Sequence, residues 1–338
     1  MTRNRLLRTP IAIAALVVCL LGITAASASA ALTGAGSTLV APILANWKAG
    51  FEKSGGTSIQ YGAVGSGAGI AQITARTVDF GASDAPLTSE QARACDGCVQ
   101  VPWALSATGV AYYLPGFNGL KLTGPVLAEI YLGKIKKWND PKIAKLNKGK
   151  KLPSTKITPV YRTDGSGDTY VFTDYLSKVN SKFRSQVGAA TSVGFPTGVG
   201  AKGNLGLTNT VKKTPGAISY IAASYMIASG MQAAQVQNKA GKFVYPNLAN
   251  IAAAAKVVKS VPSSNTVSIV NPPASAKLAW PLSTFTYAVV PKSASQKGDI
   301  KKFIEFAITK GQGFGASLDF PPLPAVVSAA AKRALGSL

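Results

Sequence analysis

Histidine is missing altogether from the 338 residues, and that one absence removes two large classes of chemistry. Without an imidazole there is no Ser-His-Asp or Cys-His nucleophile and no His-ligated metal. Cysteine, at three residues, is too scarce for a disulfide-built scaffold or an iron–sulfur centre. Acidic residues number 13 against 36 Lys+Arg, and charged residues make up only 14% of the chain, where a soluble domain usually carries about 25%. The surface must therefore draw on Ser, Thr, Asn and Gly. Metal-dependent and triad hydrolases are disfavoured, and neither cofactor nor metal is expected. At about 150 residues per domain, the length suits two domains with a core each.

Residues 1–30 read as an export signal. Arg3, Arg5 and Arg8 precede an apolar run from Ile11 to Ile23, and Ala28-Ser29-Ala30 offers small residues for cleavage after Ala30. The run is short for a membrane-spanning helix. Cys19 lies in mid-run behind Val18, a poor setting for a lipid-modified cysteine. Cleavage would leave 33 basic and 13 acidic residues, a charge of +20, on an exported protein, periplasmic or at the cell surface. The lysines are dispersed and no zinc-finger or basic-zipper pattern accompanies them, so no nucleic-acid partner is expected; an anionic wall polymer or lipid surface suits such a coat better. Cys95 and Cys98 read as a small-loop disulfide, with a redox pair as the alternative.

From Leu32 onward, helical and strand periods alternate. Leu39, Ile43, Leu44, Trp47 and Phe51 recur at helical spacing up to Gly55-Gly56. Helices are also expected through Ile70 and Ile73, after Thr88 (a capping box with Gln91), and over 125–132, 141–146, 169–178 and 300–307. Strands are expected at 57–61, 78–82, 157–161, 217–221 and 284–290, and an exposed connection at 261–275. The uncharged stretch 214–238 reads as strand plus helix within a globule rather than a span. This alternation is that of an α/β protein.

Three short Gly-rich segments each stand where a strand gives way to a helix: 33–39 (TGAGSTL), 65–69 (GSGAG) and 162–169 (RTDGSGDT). Helix N-termini leave amides unpaired and carry partial positive charge, so three of them converging would make an anion site. Each alone reads more readily as an ordinary N-cap after a turn. None has a P-loop lysine or dinucleotide spacing, which disfavours nucleotides.

Together with 78–87 (VDFGASDAPL), 130–138 (IYLGKIKKW), Gly203-Asn204, 215–218 (PGAI) and Trp280-Pro281, these segments resemble the phosphate-binding proteins of Pst-type phosphate ABC importers, almost from Leu32 to the end. The resemblance implies an α/β, two-lobed periplasmic-binding-protein fold (type II) with two hinge crossings and the ligand in the cleft. Lobe I would comprise 31–110 plus 278–338 and lobe II 111–277, with crossings near 109–113 and 275–280. The implied protein is a monomer, not an enzyme. Its partners are inorganic phosphate and a membrane permease with its ATPase.

Residue by residue, the resemblance implies that Thr38 (hydroxyl and amide), the Leu39 amide, Ser66, Ser166 and Gly167 donate to phosphate. Arg162 is the cation, oriented by Asp164. Asp84 accepts a hydrogen bond from a protonated phosphate oxygen, which sulfate lacks, so sulfate would leave it buried, unpaired and repelled. Asp168 stands where much of the family has Thr. It is expected either as a second acceptor favouring the doubly protonated anion, or as a capping carboxylate turned away from the ligand. Rival readings are a secreted phosphatase or phosphoester-binding protein on the same scaffold, and a binder of sulfate or molybdate.

Overall fold

A computed structural model describes residues 31–338; the export segment 1–30 lies outside the described residues. Twelve strands run in chain order: β1 (Leu32–Gly36), β2 (Ile59–Gly62), β3 (Phe80–Ser83), β4 (Cys98–Tyr112), β5 (Lys121–Leu122), β6 (Thr158–Arg162), β7 (Val199–Ala201), β8 (Ala217–Ala222), β9 (Gln232–Ala233), β10 (Gln235–Gln237), β11 (Phe243–Val244) and β12 (Ser283–Pro291). Nine form one sheet in the order β2-β1-β3-β12-β4-β8-β6-β7, with β9 on the side of β4; β11-β10-β5 form a second, small sheet.

The large sheet is two half-sheets sharing one strand. Parallel β2, β1 and β3 meet antiparallel β12, which pairs with β4 from Cys98 to Ala107. From Thr108 to Tyr112 the same strand pairs instead with β8, which is parallel to β6 and through it to β7. β4 thus changes partner between Ala107 and Thr108, slightly ahead of the crossing expected at 109–113. Every residue from Pro102 to Tyr112 is buried. A strand covered on both faces shows a continuous apolar run and no alternation, which is why periodicity did not disclose it.

Each half carries an aromatic core. Helix Ala41–Lys53 turns Ile43, Leu44, Trp47 and Phe51 inward, four positions on one stripe of a 3.6-residue period. The helix ends at Ser54, and Gly55 beyond it takes φ +86°. Trp47 packs on Trp103 at 5.3 Å between ring centroids, and Phe51 on Phe303 at 5.5 Å. In the other half, Phe172 stacks on Tyr220 at 4.5 Å and meets Tyr131 edge-on at 4.7 Å. Contacts of this kind contribute about 0.5–1.5 kcal/mol beyond area burial.

The expected helices form at Ser66–Thr74, Ser89–Ala94 (with both arms of the Thr88/Gln91 capping box), Gly124–Tyr131, Pro141–Leu146, Gly167–Val179 and Lys297–Ile308. Stretch 214–238 forms β8, a short helix, β9 and β10, and no helix among the described residues is long and apolar enough to cross a membrane. Segment 261–275 has no regular structure, but Ile269 and Val270 are buried, so it is only partly the exposed connection expected. Cys95 and Cys98 are joined as a disulfide at the head of β4, and the Arg76 guanidinium donates to the Cys95 carbonyl (2.8 Å) beside it.

Helix Ser66–Thr74 packs on β1 through Gly69, where a Cβ would stand 2.6 Å from the Ala35 carbonyl oxygen. Backbone cannot yield there as a side-chain tip can. Gly69→Ala is expected to destabilise the protein by about 1–3 kcal/mol, read as a lowered midpoint in urea unfolding; Gly298→Ala, with open space around it, should leave the midpoint nearly unchanged.

Candidate functional site

The carboxyl ends of the parallel strands of both half-sheets point to one place, where open α/β sheets bind ligands. β1 ends at Gly36 and delivers Ser37, Thr38 and Leu39. β3 ends at Ser83 and delivers Asp84; β6 ends at Arg162 and leads into Asp164–Asp168; β7 ends at Ala201 and leads into Gly203-Asn204. Ser66, Gly167 and Gly203 are also the first residues of helices.

Asp84 is the centre of the cluster, with 1% of its surface exposed. Both carboxylate oxygens accept from Ser37 Oγ (2.6 and 2.7 Å) and one from Ser66 Oγ (3.3 Å). Ser66 Oγ in turn accepts from the amides of Asp84 (3.2 Å) and Gly167 (3.1 Å). One serine therefore ties a β3 residue to the β6 loop across the two halves. The approach is close: a Cβ on Gly167 would fall inside the Asp84 side chain. Burial pushes the Asp84 carboxyl up to about 7, and the neighbouring Asp168 charge adds to this; Ser37, Arg162 and Ser66 oppose it.

Arg162 is 5% exposed and makes a two-pronged pair with Asp164: Nε donates to Oδ1 (2.7 Å) and Nη2 to Oδ2. Nη1 faces the cluster, donating to Thr38 Oγ1 (3.2 Å) and lying 3.5 Å from Asp168 Oδ2. Burial alone would lower the guanidinium's pKa, but the hydrogen bonds of Asp164 and the charges of Asp168 and Asp164 outweigh it and raise it. For Asp164 burial works upward and is overcome by Arg162 and by the Gly203 amide (2.9 Å), leaving the carboxyl below its ordinary value. Arg162 stays charged and aimed.

Asp168 points inward. Its oxygens accept from Thr108 Oγ1 and Asn204 Nδ2, each at 2.7 Å. Burial raises its pKa against the pull of Arg162, Thr108 and Asn204. The turned-away capping arrangement is not formed, because Ser166 is the N-cap here: its Oγ accepts from the Thr169 amide (3.3 Å) and its own amide goes to the Thr191 carbonyl (2.8 Å). The Leu39 amide donates to Ser37 Oγ (3.0 Å).

The expected residues Thr38, Ser66, Asp84, Arg162, Asp164, Gly167 and Asp168 are thus bonded to one another, with Ser166 and Leu39 turned to capping bonds beside them. Three further residues belong to the same network. Ser37 gives Asp84 its closest donor. Asn204, fully buried, donates to Thr38 Oγ1 (2.8 Å) as well as to Asp168, and accepts from the Ala222 amide (2.9 Å). Thr108 donates from the point where β4 changes partner. Ser37 and Asn204 stand within segments already singled out, where position next to a hydroxyl and after a glycine was signal enough. Thr108 has no local signal; only the strand's path brings it to Asp168.

The site thus offers hydroxyls, amides and one fixed guanidinium around two carboxylates of raised pKa. A triad or metal-like nucleophile is not what these groups compose. They compose a closed network in which the donors bond one another and the two carboxylates.

The family model for the PBP superfamily domain matches residues 24–310. The phosphate-binding protein PstS of Xylella fastidiosa (strain Temecula1) is 38% identical over 301 residues, covering 88% of this chain and 82% of that protein. PstS of Pasteurella multocida is 40% identical over 299 residues, covering 87% and 86%. Among solved structures, a phosphate-binding protein from Stenotrophomonas maltophilia superposes with a TM-score of 0.71 at 19% identity over 90% of this chain and 93% of that one. An ABC-type phosphate transport receptor from Vibrio cholerae gives 0.58 at 19% identity over 87% and 100%. These likenesses place the fold as that of two-lobed periplasmic binding proteins, and the sequence identities place the chain more narrowly: it belongs to the PBP superfamily and, within it, to the PstS family of phosphate-binding proteins.

Proposed function

We propose that this chain binds inorganic phosphate with high affinity in the cleft between two lobes and delivers it to an ABC-type permease driven by its ATPase. It is a binding protein and not an enzyme, acts outside the cytoplasm as a monomer, and is released from its export signal by cleavage after Ala30. The observation that carries this reading is Asp84: a buried carboxylate held by two serine hydroxyls at the meeting point of helix N-termini.

We assign lobe I to 31–110 with 278–338 and lobe II to 111–277. The change of partner in β4 supports one crossing. The second, at 275–280, is supported by Trp280, whose Nε1 donates to the Thr108 carbonyl (2.9 Å). Thr38, Ser37, Ser66 and Asp84 then belong to one lobe, and Arg162–Asp168 with Asn204 to the other. Bonds such as Arg162 to Thr38, Asn204 to Thr38 and Gly167 to Ser66 cross between them. Phosphate inserted here takes over these donors and holds the cleft closed, because its oxygens are satisfied only when both lobes are present.

Specificity follows from counting protons. Phosphate near neutral pH carries at least one O–H, which Asp84 accepts; sulfate carries none and meets a buried carboxylate with its bonds unmade. Such a mismatch supports discrimination of about 10⁴–10⁵. Asp84→Asn, which can donate to a bare oxygen, is expected to cut the phosphate-to-sulfate affinity ratio at least about 100-fold in calorimetric titration of the mature protein. A ratio unchanged from wild type would remove Asp84 from the recognition step.

The two acceptors also set a pH dependence. Each asks for one O–H from the ligand; the monoanion carries two and the dianion one. As pH rises through phosphate's second ionisation the complex must take up a proton that the free partners have lost, so affinity falls by up to about tenfold per pH unit. Asp168→Thr restores a donor and is expected to flatten this slope, measured as binding isotherms between pH 6 and 9. Parallel slopes for the two proteins would assign Asp168 to holding Asn204 and Thr108 alone.

A further inference from the structure

Between Lys134 and Lys156 the chain carries nine lysines and a single acid, Asp140, and all nine lysines are exposed. Of these nine, only Lys142 has an ion-pair partner among the described residues, Glu129 at 2.6 Å. The other eight have no acidic partner among the described residues.

The fold concentrates them. Lys137 and Lys156 are directly opposed in an antiparallel bridge, flanked by bonds from the Ile157 amide to the Lys136 carbonyl (2.8 Å) and from the Trp138 amide to the Thr155 carbonyl (3.0 Å). Like charges in that register destabilise a pairing, and no acid of the segment offsets them. Lys150 is fixed in place: its Nζ donates to the carbonyls of Asn118 (2.7 Å) and Gly119 (3.0 Å) and stands 5.4 Å over the Phe117 ring. A charge-dense ridge with an internal repulsion gains most from a ligand that brings many anions at short spacing.

The surroundings narrow the ligand. None of the exposed large apolar side chains lies in this segment, and Trp138, its one aromatic residue, is fully buried. There is nothing to insert into a bilayer and no platform on which bases could stack. The ridge is also remote from the site at Asp84. Lys156 stands just before β6 and Arg162 ends it, so six residues of extended chain put about 20 Å between them.

We propose that the ridge 134–156 is a second anion site, which holds a linear polyanion of closely spaced phosphate charge independently of the inorganic phosphate in the cleft. The polymer lies along the lysines through charge alone and displaces counterions as it binds, so affinity depends steeply on salt. With about five lysine–phosphate contacts, it falls about 100-fold between 50 and 200 mM salt.

The test uses the mature chain and long-chain inorganic polyphosphate, followed by fluorescence anisotropy. The variant K136Q/K137Q/K148Q/K151Q is compared with K239Q/K242Q/K256Q/K259Q, an equal change of charge on exposed lysines elsewhere. The first is expected to weaken polyphosphate binding at least tenfold and the second less than twofold, while both keep wild-type affinity for inorganic phosphate. Equal losses in the two variants would show a general charge effect and overturn the site. So would binding insensitive to salt, or tighter capture of the wild-type protein by phosphatidylglycerol vesicles than by the polymer.

Discussion

Everything at this site follows from an imbalance of buried charge. Asp84, Asp164 and Asp168 lie around the single guanidinium of Arg162, and all but the partly exposed Asp164 are shut off from water. Isolated carboxylates cannot remain ionised at such depth unless they are bonded and paired. Asp164 is paired and its pKa falls below normal; Asp84 and Asp168 are bonded chiefly to hydroxyl and amide donors and theirs rise. The cluster therefore seeks protons. A ligand that arrives with its own hydrogen relieves the imbalance, and one that arrives as a bare anion aggravates it.

The same imbalance explains why the donors around Asp84 come from both halves of the sheet. Neither half alone supplies enough. β1 and β3 bring Ser37, Thr38 and Asp84 itself, whereas the cation and Asn204 come from β6 and β7. The bonds from Arg162 and Asn204 to Thr38 and from Gly167 to Ser66 complete the network across the two halves. β4 supplies the mechanical link. It is the strand common to both halves, and at its change of partner Thr108 bonds Asp168 through its hydroxyl and Trp280 through its carbonyl. Thr108 thus stands one hydrogen bond from a carboxylate of the site and one from Trp280.

How far the sequence discloses this depends on whether the information is local. The Gly-rich loops were legible as strand-to-helix turns, and as a site only when taken together with the other matching segments; the amphipathic helices were legible because their apolar stripe repeats. Asp84 was legible only through resemblance, since an Asp before Ala85-Pro86 reads equally well as a turn. β4 hid because its burial on both faces erases the alternation that marks a strand. Helix Gly203–Lys213 and helix Ala325–Gly336 bury equally regular stripes, but these are made largely of polar or small residues (Asn204 and Thr208 in the first, Ala330, Ala331 and Ala334 in the second). Their positions are set by packing on the sheet more than by propensity.

The distribution of charge over the whole molecule obeys a similar division. Thirteen acids in the chain are few, yet three of them crowd into the cleft, while most of the lysines stand on the surface with no acid beside them. On the reading proposed above, the carboxylates at the centre turn sulfate away, and alone they would also repel phosphate at long range. A basic exterior offsets that repulsion during approach, where screening still lets the field of the whole protein reach about 8–10 Å. Attraction of anions in general is then the work of the surface, and selection among them is the work of the interior. The two can be arranged independently because hydrogen bonds discriminate only at contact, whereas net charge acts before contact is made.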